Sequence, residues 1–237
     1  MKHIFFNGGG FTGFYEHIGA IQYIHENKLT FDKYYGVSAG VSAIIVLLLQ
    51  YDIDDFLSYL ENIFKQQLFS NEINVTDLHM QCIKYGINRY PDAYKILNNK
   101  MFIGITLSSG FIWKSKFTSN EDLSNAVLCS GNIPFVSSYR AKIDTKLAID
   151  GGFGLLEIPP DTLSIKTSLY FPLNMIYPIS IFRQIIIQYG YMNVKYVRQK
   201  PILSSLSPEM INFIFLLESI LPKSKNMDDL RNLLNEK

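Results

Sequence analysis

The chain is poor in the features that would tie it to disulfides, metals or nucleic acid. It has two cysteines, Cys82 and Cys129, far apart in sequence. That is neither a disulfide framework nor a zinc spacing, and it fits a reducing compartment. Charged residues make up 18% of the chain, and 22 basic against 21 acidic residues leave a formal net charge of +1. No general attraction to nucleic acid is implied. Long apolar runs are also missing. The longest, Val41 to Leu49, includes Ser42, whereas a membrane-spanning helix needs roughly 20 apolar residues. Met1 to Asn7 is too short for a signal peptide and runs straight into glycines. The expectation is a cytoplasmic protein, neither secreted by a recognisable signal nor transmembrane, with peripheral contact to membranes left open. Histidine is scarce too: the four are His3, His17, His25 and His79, and none lies in the last two-thirds of the chain.

What the chain does have is a composition for a large core. Hydrophobic residues are 48% of its 237 residues, with 17 Phe and 15 Tyr among them, which excludes disorder and suits a single α/β domain. Lys2 to Phe6 is an apolar run stopped by three glycines and predicts a buried strand. Ile18, Ile21 and Ile24 recur at helical spacing between Gly13 and Asn27. Tyr34 to Val37 predicts a second strand, and Val41 to Gln50 a helix apolar nearly all round. Asp52 to Phe69 is amphipathic, with Phe56, Leu57, Leu60, Ile63 and Phe64 on one face. Residues 70–100 are helical and polar, with breaks expected at Gly86 and Pro91. Met101 to Leu107 and Phe111 to Phe117 predict strands joined at Ser108-Ser109-Gly110. Ser119 caps a helix ending near Gly131. Ala141 to Ile149 and Ser164 to Phe171 predict strands, and Pro178 to Arg198 and Ser207 to Leu221 helices. Strand and helix alternate in the first half, which argues for a mainly parallel sheet.

Three motifs carry chemistry. Gly8-Gly9-Gly10-Phe11-Thr12-Gly13 joins a strand to a helix. Such a loop presents N–H groups with no side chain in the way, backed by a helix N-terminus, and binds an anion or a developing oxyanion. It also satisfies G-x-G-x-x-G, with Asp32 nineteen residues after Gly13, so dinucleotide binding competes, as does a glycine turn serving packing alone. Gly36-Val37-Ser38-Ala39-Gly40, again between strand and helix, is the G-x-S-x-G pattern that exposes a serine at a strained turn. A serine triad of the α/β-hydrolase order needs a histidine late in the chain; here there is none, so Ser38 is idle or uses another base. Ile149-Asp150-Gly151-Gly152 supplies one. A strand delivers a carboxylate beside residues without side chains, where desolvation makes it a better proton acceptor; a plain Asp-Gly turn is the bland alternative.

In that order, the glycine loop, G-x-S-x-G and D-G-G resemble the patatin-like phospholipases, over roughly Lys2 to Arg198. Cys129 to Phe135 is similar to the family's small-residue, Ile-Pro-containing segment ahead of the aspartate. Tyr177-Pro178 through Arg183, Gly190-Tyr191 and Tyr196 resembles the animal branch that includes adiponutrin and adipose triglyceride lipase. The resemblance implies an α/β fold, a three-layer α/β/α sandwich with a mainly parallel central sheet. It implies one domain over residues 1–200 and a C-terminal helical segment, 201–237, packed on it or trailing it. It further implies a serine–aspartate dyad without histidine, with Ser38 as nucleophile and Asp150 as proton acceptor. Gly8, Gly9 and Gly10 would form the oxyanion hole, and Gly13, Gly36, Gly40, Gly151 and Gly152 would support the motifs. This chemistry calls for no metal or organic cofactor. The implied partners are a phospholipid or glycerolipid substrate and a peripheral lipid surface, with no nucleic acid. Two departures stand out. Phe11 follows the glycines where plant and bacterial members often carry Arg or Lys. The chain also ends at Lys237 without the long extension that targets some animal members to lipid droplets, so droplet targeting is not implied.

The expected function is hydrolysis of carboxylic esters of lipids through an acyl-enzyme. Capture of the acyl group by a lipid alcohol would make an acyltransferase instead. Nucleotide binding leaves Ser38 and Asp150 unexplained and wants an acid at the end of the second strand, whereas Asp32 precedes that strand. A silent lipid-binding module of the same fold is the remaining reading, although every dyad and loop residue is present. Phe11, Phe14, the helix after Ser38, and Ile133 to Phe135 are the expected walls of an acyl groove. Lys195, Arg198 and Lys200, with Tyr191 and Tyr196, form either a lipid-facing cluster or an ordinary solvated helix end.

Overall fold

The computed structural model describes residues 2–69, 75–137, 139–154, 157–165, 167, 186–188, 190–192, 194 and 212–216. Lys195, Arg198, Lys200 and most of 178–211 lie outside the described residues.

Strand and helix alternate at first, and three helices then follow in succession: β1 (His3–Phe6), α1 (Gly10–Glu26), β2 (Lys33–Gly36), α2 (Ala39–Leu48), α3 (Ile53–Phe69) and α4 (Val75–Arg89). A short α5 (Ala93–Leu97) leads into the hairpin of β3 (Met101–Leu107) and β4 (Gly110–Lys114). Then come α6 (Asn120–Ser130), β5 (Lys142–Ile143), β6 (Lys146–Asp150) and β7 (Thr162–Ile165). Among the described residues the strands form one sheet in the order β5-β6-β3-β2-β1-β7, with β4 also on β3. The stretch β7-β1-β2-β3 is parallel, while β4, β6 and β5 join antiparallel. The fold is α/β, with a mixed, mainly parallel central sheet flanked by helices.

Period-two alternation divides the sheet's faces. Ile4 and Phe6 of β1, Tyr34 of β2, and Met101, Ile103 and Ile105 of β3 enter the main core with the helices. Phe5, Tyr35 and Val37 point the other way, into an aromatic cluster with Phe102, Phe111 and Trp113. Helix α2 is apolar on all sides because it is buried against β1, β2 and α1. Helix α1 is buried along most of its length; at Gly19 a Cβ would stand 1.8 Å from the Ile187 carbonyl oxygen, so chain from the second half lies directly on it. Ser119 caps α6 by accepting from the Asp122 N–H at 3.1 Å, a contact worth about 1 kcal/mol.

Two expectations fail locally. Helix α4 runs through Gly86 without a break. A glycine there clears space: a Cβ would lie 1.5 Å from the Tyr51 hydroxyl oxygen. Ala141 to Ile149 is not one strand but the hairpin of β5 and β6, turned at Asp144-Thr145 with Asp144 at φ 54°. Aspartate tolerates the left-handed conformation a tight hairpin demands.

Candidate active site

Strand β2 ends at Gly36 and α2 begins at Ala39, so the chain reverses within Val37 and Ser38. Ser38 sits at φ 53°, ψ −127°, a conformation that costs a non-glycine residue about 1–3 kcal/mol and persists only where its surroundings hold it. The hold is visible. The Ser38 N–H donates to Ser130 Oγ at 3.0 Å, and that hydroxyl donates to the Gly104 carbonyl at 2.7 Å. Two residues on, Gly40 lets α2 start against β1, for a Cβ would stand 2.1 Å from the Phe6 carbonyl oxygen. At Gly36 a Cβ would meet the Ile44 side chain at 2.6 Å. The G-x-S-x-G pattern is thus a set of clearances around one buried turn.

Strand β3 explains how Asp150 arrives 112 positions later in sequence. Ile103 pairs with Gly36 of β2 and with Lys114 of β4, so β2 and β4 occupy opposite edges of β3. Ile105 pairs with Ile112 of β4 and with Asp150 of β6. Strand β6 therefore takes over the edge of β3 that β2 vacates at the turn, and Asp150 lands two positions beyond Gly36, beside Ser38. The Asp150 N–H donates to the Asn132 carbonyl at 2.9 Å. Thr106 Oγ1 donates to the Asp150 carbonyl at 3.0 Å. Gly151 packs on the Gly104 backbone, where a Cβ would lie 2.1 Å from the carbonyl oxygen.

The Asp150 carboxylate accepts from the Gly152 N–H at 2.7 Å, and the Ser38 side chain stands close enough to favour its charged form. Asp150 is 5% exposed, and burial pushes its carboxyl up from the ordinary 3.8 to about 6, outweighing Ser38 and the Gly152 N–H, which pull it down. It is a carboxylate at neutral pH, yet a readier proton acceptor than a solvated aspartate.

The glycine loop stands across from Ser38. A Cβ on Gly8 would lie 3.2 Å from Ser38 Cβ and 3.7 Å from its Oγ. Gly9 and Gly10 take φ 142° and 59°, the former open to glycine alone. Gly13 closes the loop by donating its N–H to the Gly9 carbonyl at 2.9 Å, and Thr167 Oγ1 donates to the Gly8 carbonyl at 2.6 Å. The loop, the serine turn and Asp150 thus converge at the carboxyl ends of the parallel strands, where open α/β sheets bind ligands. Asp32 sits ahead of β2, with its N–H on the Lys2 carbonyl, at the opposite end from this loop.

A mostly apolar pocket opens at Ser38, with about 670 Å³ of empty space counting the part open to solvent. Phe11, Phe14, Ala39, Ser42 and Ile133 line it, as expected. Phe135 does not. It is 56% exposed at φ 67°, because the chain after Pro134 turns outward. The sequence missed Leu60, His79, Cys82 and Tyr139, which complete the wall and come from α3, α4 and the loop after α6. His79 is not on a polar surface. It lies over Gly131, where a Cβ would be 2.4 Å from its ring, and burial lowers it to about 4. No hydrogen bond joins it to Ser38 or Asp150 among the described residues. Burial pushes the Cys82 thiol up to about 12, which leaves it protonated.

A serine on a strained strand-to-helix turn, set beside a buried carboxylate and faced by a glycine loop, defines the class of α/β proteins with a G-x-S-x-G elbow. The family model for patatin-like phospholipases matches residues 4–159, and the chain belongs to that family. The match ends before Tyr177 and so does not bear on the animal branch. A search of curated proteins finds no match. No helix among the described residues is long and apolar enough to cross a membrane.

Proposed function

We propose that the protein is a serine lipid acyl hydrolase in which Ser38 is the nucleophile and Asp150 the proton acceptor. The observation that carries this reading is the placement of Ser38 beside the buried Asp150 carboxylate at the head of an apolar pocket. The substrate ester enters with its acyl chain along Phe11, Phe14, Leu60 and Ile133. Asp150 takes the hydroxyl proton as Ser38 Oγ attacks the carbonyl carbon. The carbonyl oxygen becomes an oxyanion against the N–H groups of Gly8, Gly9 and Gly10, each such donor being worth about 3 kcal/mol of barrier in comparable enzymes. The alcohol leaves with the proton, water attacks the acyl-enzyme with Asp150 again as base, and a free fatty acid departs.

The substrate is a phospholipid or glycerolipid presented at a lipid surface. The likeness of Tyr177 to Tyr196 to the animal branch puts triacylglycerol on the panel beside phospholipids. The test is a lipid panel assayed with wild type and Ser38→Ala, with released fatty acids and lysolipids identified by mass. Release by wild type that Ser38→Ala abolishes is expected. Equal release by both would overturn the reading.

A further inference from the structure

Three successive peptide groups build the glycine loop: Asn7–Gly8, Gly8–Gly9 and Gly9–Gly10. All are trans, so in each the carbonyl and the following N–H lie on opposite edges of one plane. Whatever grips the carbonyl therefore aims the N–H. All three carbonyls are gripped, two of them by side chains from outside the loop. The Asn7 carbonyl accepts from His17 Nε2 at 2.7 Å, the Gly8 carbonyl from Thr167 Oγ1 at 2.6 Å, and the Gly9 carbonyl from the Gly13 N–H at 2.9 Å. Among the described residues, none of the Gly8, Gly9 and Gly10 N–H groups donates to a protein acceptor. The loop is a row of free donors whose directions are set from behind.

We propose, resting on the hydrolase reading, that His17 is a positioning residue that fixes the Asn7–Gly8 peptide plane and so aims the Gly8 N–H for the oxyanion. Several observations point the same way. His17 lies seven residues into α1, two turns from its start, and helical side chains lean toward the N-terminus, so its ring reaches back to the loop. A carbonyl oxygen can only accept, so Nε2 carries the hydrogen. The ring is fully buried, and burial lowers it to about 4. It is neutral in this one tautomer throughout the neutral range. Its other nitrogen, Nδ1, is buried with no hydrogen-bond partner. An apolar residue would fill the space without that orphan, so packing alone does not account for a histidine here; the bond to Asn7 does. Phe6 meets the ring edge-to-face at 5.2 Å between centroids and fixes its tilt. The aimed plane is the one beside the nucleophile, since Gly8 is the glycine that packs on Ser38.

The test compares His17→Leu, which removes the donor, with His17→Gln, whose amide nitrogen stands where Nε2 stands. Steady-state kinetics on a soluble p-nitrophenyl ester are measured beside wild type and Ser38→Ala, with thermal melts to confirm folding. His17→Leu should lose about 30- to 100-fold in kcat with KM within about threefold, as expected when an oxyanion donor is misaimed while ground-state binding is kept. His17→Gln should recover at least tenfold of that loss. If the leucine variant does not fold, His17→Asn serves in its place. Its shorter amide cannot reach Asn7, and it should match the loss predicted for leucine. Retention of wild-type kcat by His17→Leu overturns the positioning role alone, as does a glutamine variant no better than leucine or asparagine. A wild type that hydrolyses no ester overturns the hydrolase reading and this role with it.

Discussion

Replacing Asp150 by asparagine should separate stability from chemistry in this fold. Burial lifts the carboxyl from 3.8 to about 6 in the folded protein. The folded state thus holds the proton more tightly than the unfolded chain does. The stability gained from this group is fully present below about pH 4 and is lost as the pH rises through 6. The gap spans roughly two pH units at about 1.4 kcal/mol each, so ionised Asp150 costs the fold about 3 kcal/mol at neutral pH. Asparagine has nearly the same shape and no charge. Its oxygen can accept from the Gly152 N–H, and its nitrogen can donate to Ser38 Oγ. Asp150→Asn should therefore be up to about 3 kcal/mol more stable at pH 7.5, which for a chain of 237 residues is roughly 6–12 °C in Tm. The gain should vanish at pH 4. Ester hydrolysis should fall by about 10³-fold or more, since the pair acts as a unit. Thermal melts of both proteins between pH 4 and 8, with activity measured in parallel, decide the matter. A stability difference that ignores pH, or an asparagine variant less stable at pH 7.5, refutes a buried ionised carboxylate. Near wild-type turnover refutes the base.

Further expectations follow from the same geometry. With Asp150 at about 6, kcat/KM should fall tenfold per unit below about pH 6; a profile flat to pH 4.5 would show that another group takes the proton. Gly40→Ala drives a methyl onto the Phe6 carbonyl and should destabilise by about 3 kcal/mol or more, read as a lowered urea midpoint; an unshifted midpoint would contradict the close α2–β1 contact. Leu60→Trp narrows the pocket and should move preference toward short acyl chains. An equal loss on short and long esters would mean the chain does not run along α3.

The loops that meet at Ser38 were legible in the sequence because their backbone geometry leaves local marks. A strained serine turn against a strand needs small residues at Gly36 and Gly40, and donors presented without side chains need Gly8 to Gly10. The pairing of Ser38 with Asp150 could be argued from the missing late histidine, but not from spacing. It depends on β6 replacing β2 along one edge of β3, a property of strand register that no local pattern encodes. The same limit hid Ser130, which braces the serine turn from α6, and His79 and Cys82, which reach the pocket from α4. His17 carried no signal either, since a histidine on a helix reads alike whether its ring packs or grips a loop 10 residues back. Where local rules misled, tertiary contact overrode them. Gly86 sits inside an unbroken helix to clear the Tyr51 hydroxyl, and Phe135 turns out to solvent although its segment lines the pocket at Ile133.

The most direct measurement is the site of acylation. Wild type, Ser38→Ala and Asp150→Asn are each mixed with a slowly deacylating p-nitrophenyl ester, quenched in acid within the burst, and digested for peptide mass mapping. The dyad predicts one acyl mass on the peptide containing Ser38 in wild type, none in Ser38→Ala, and acylation slowed by orders of magnitude in Asp150→Asn. An acyl group on any other residue, or turnover in Ser38→Ala equal to wild type, contradicts it.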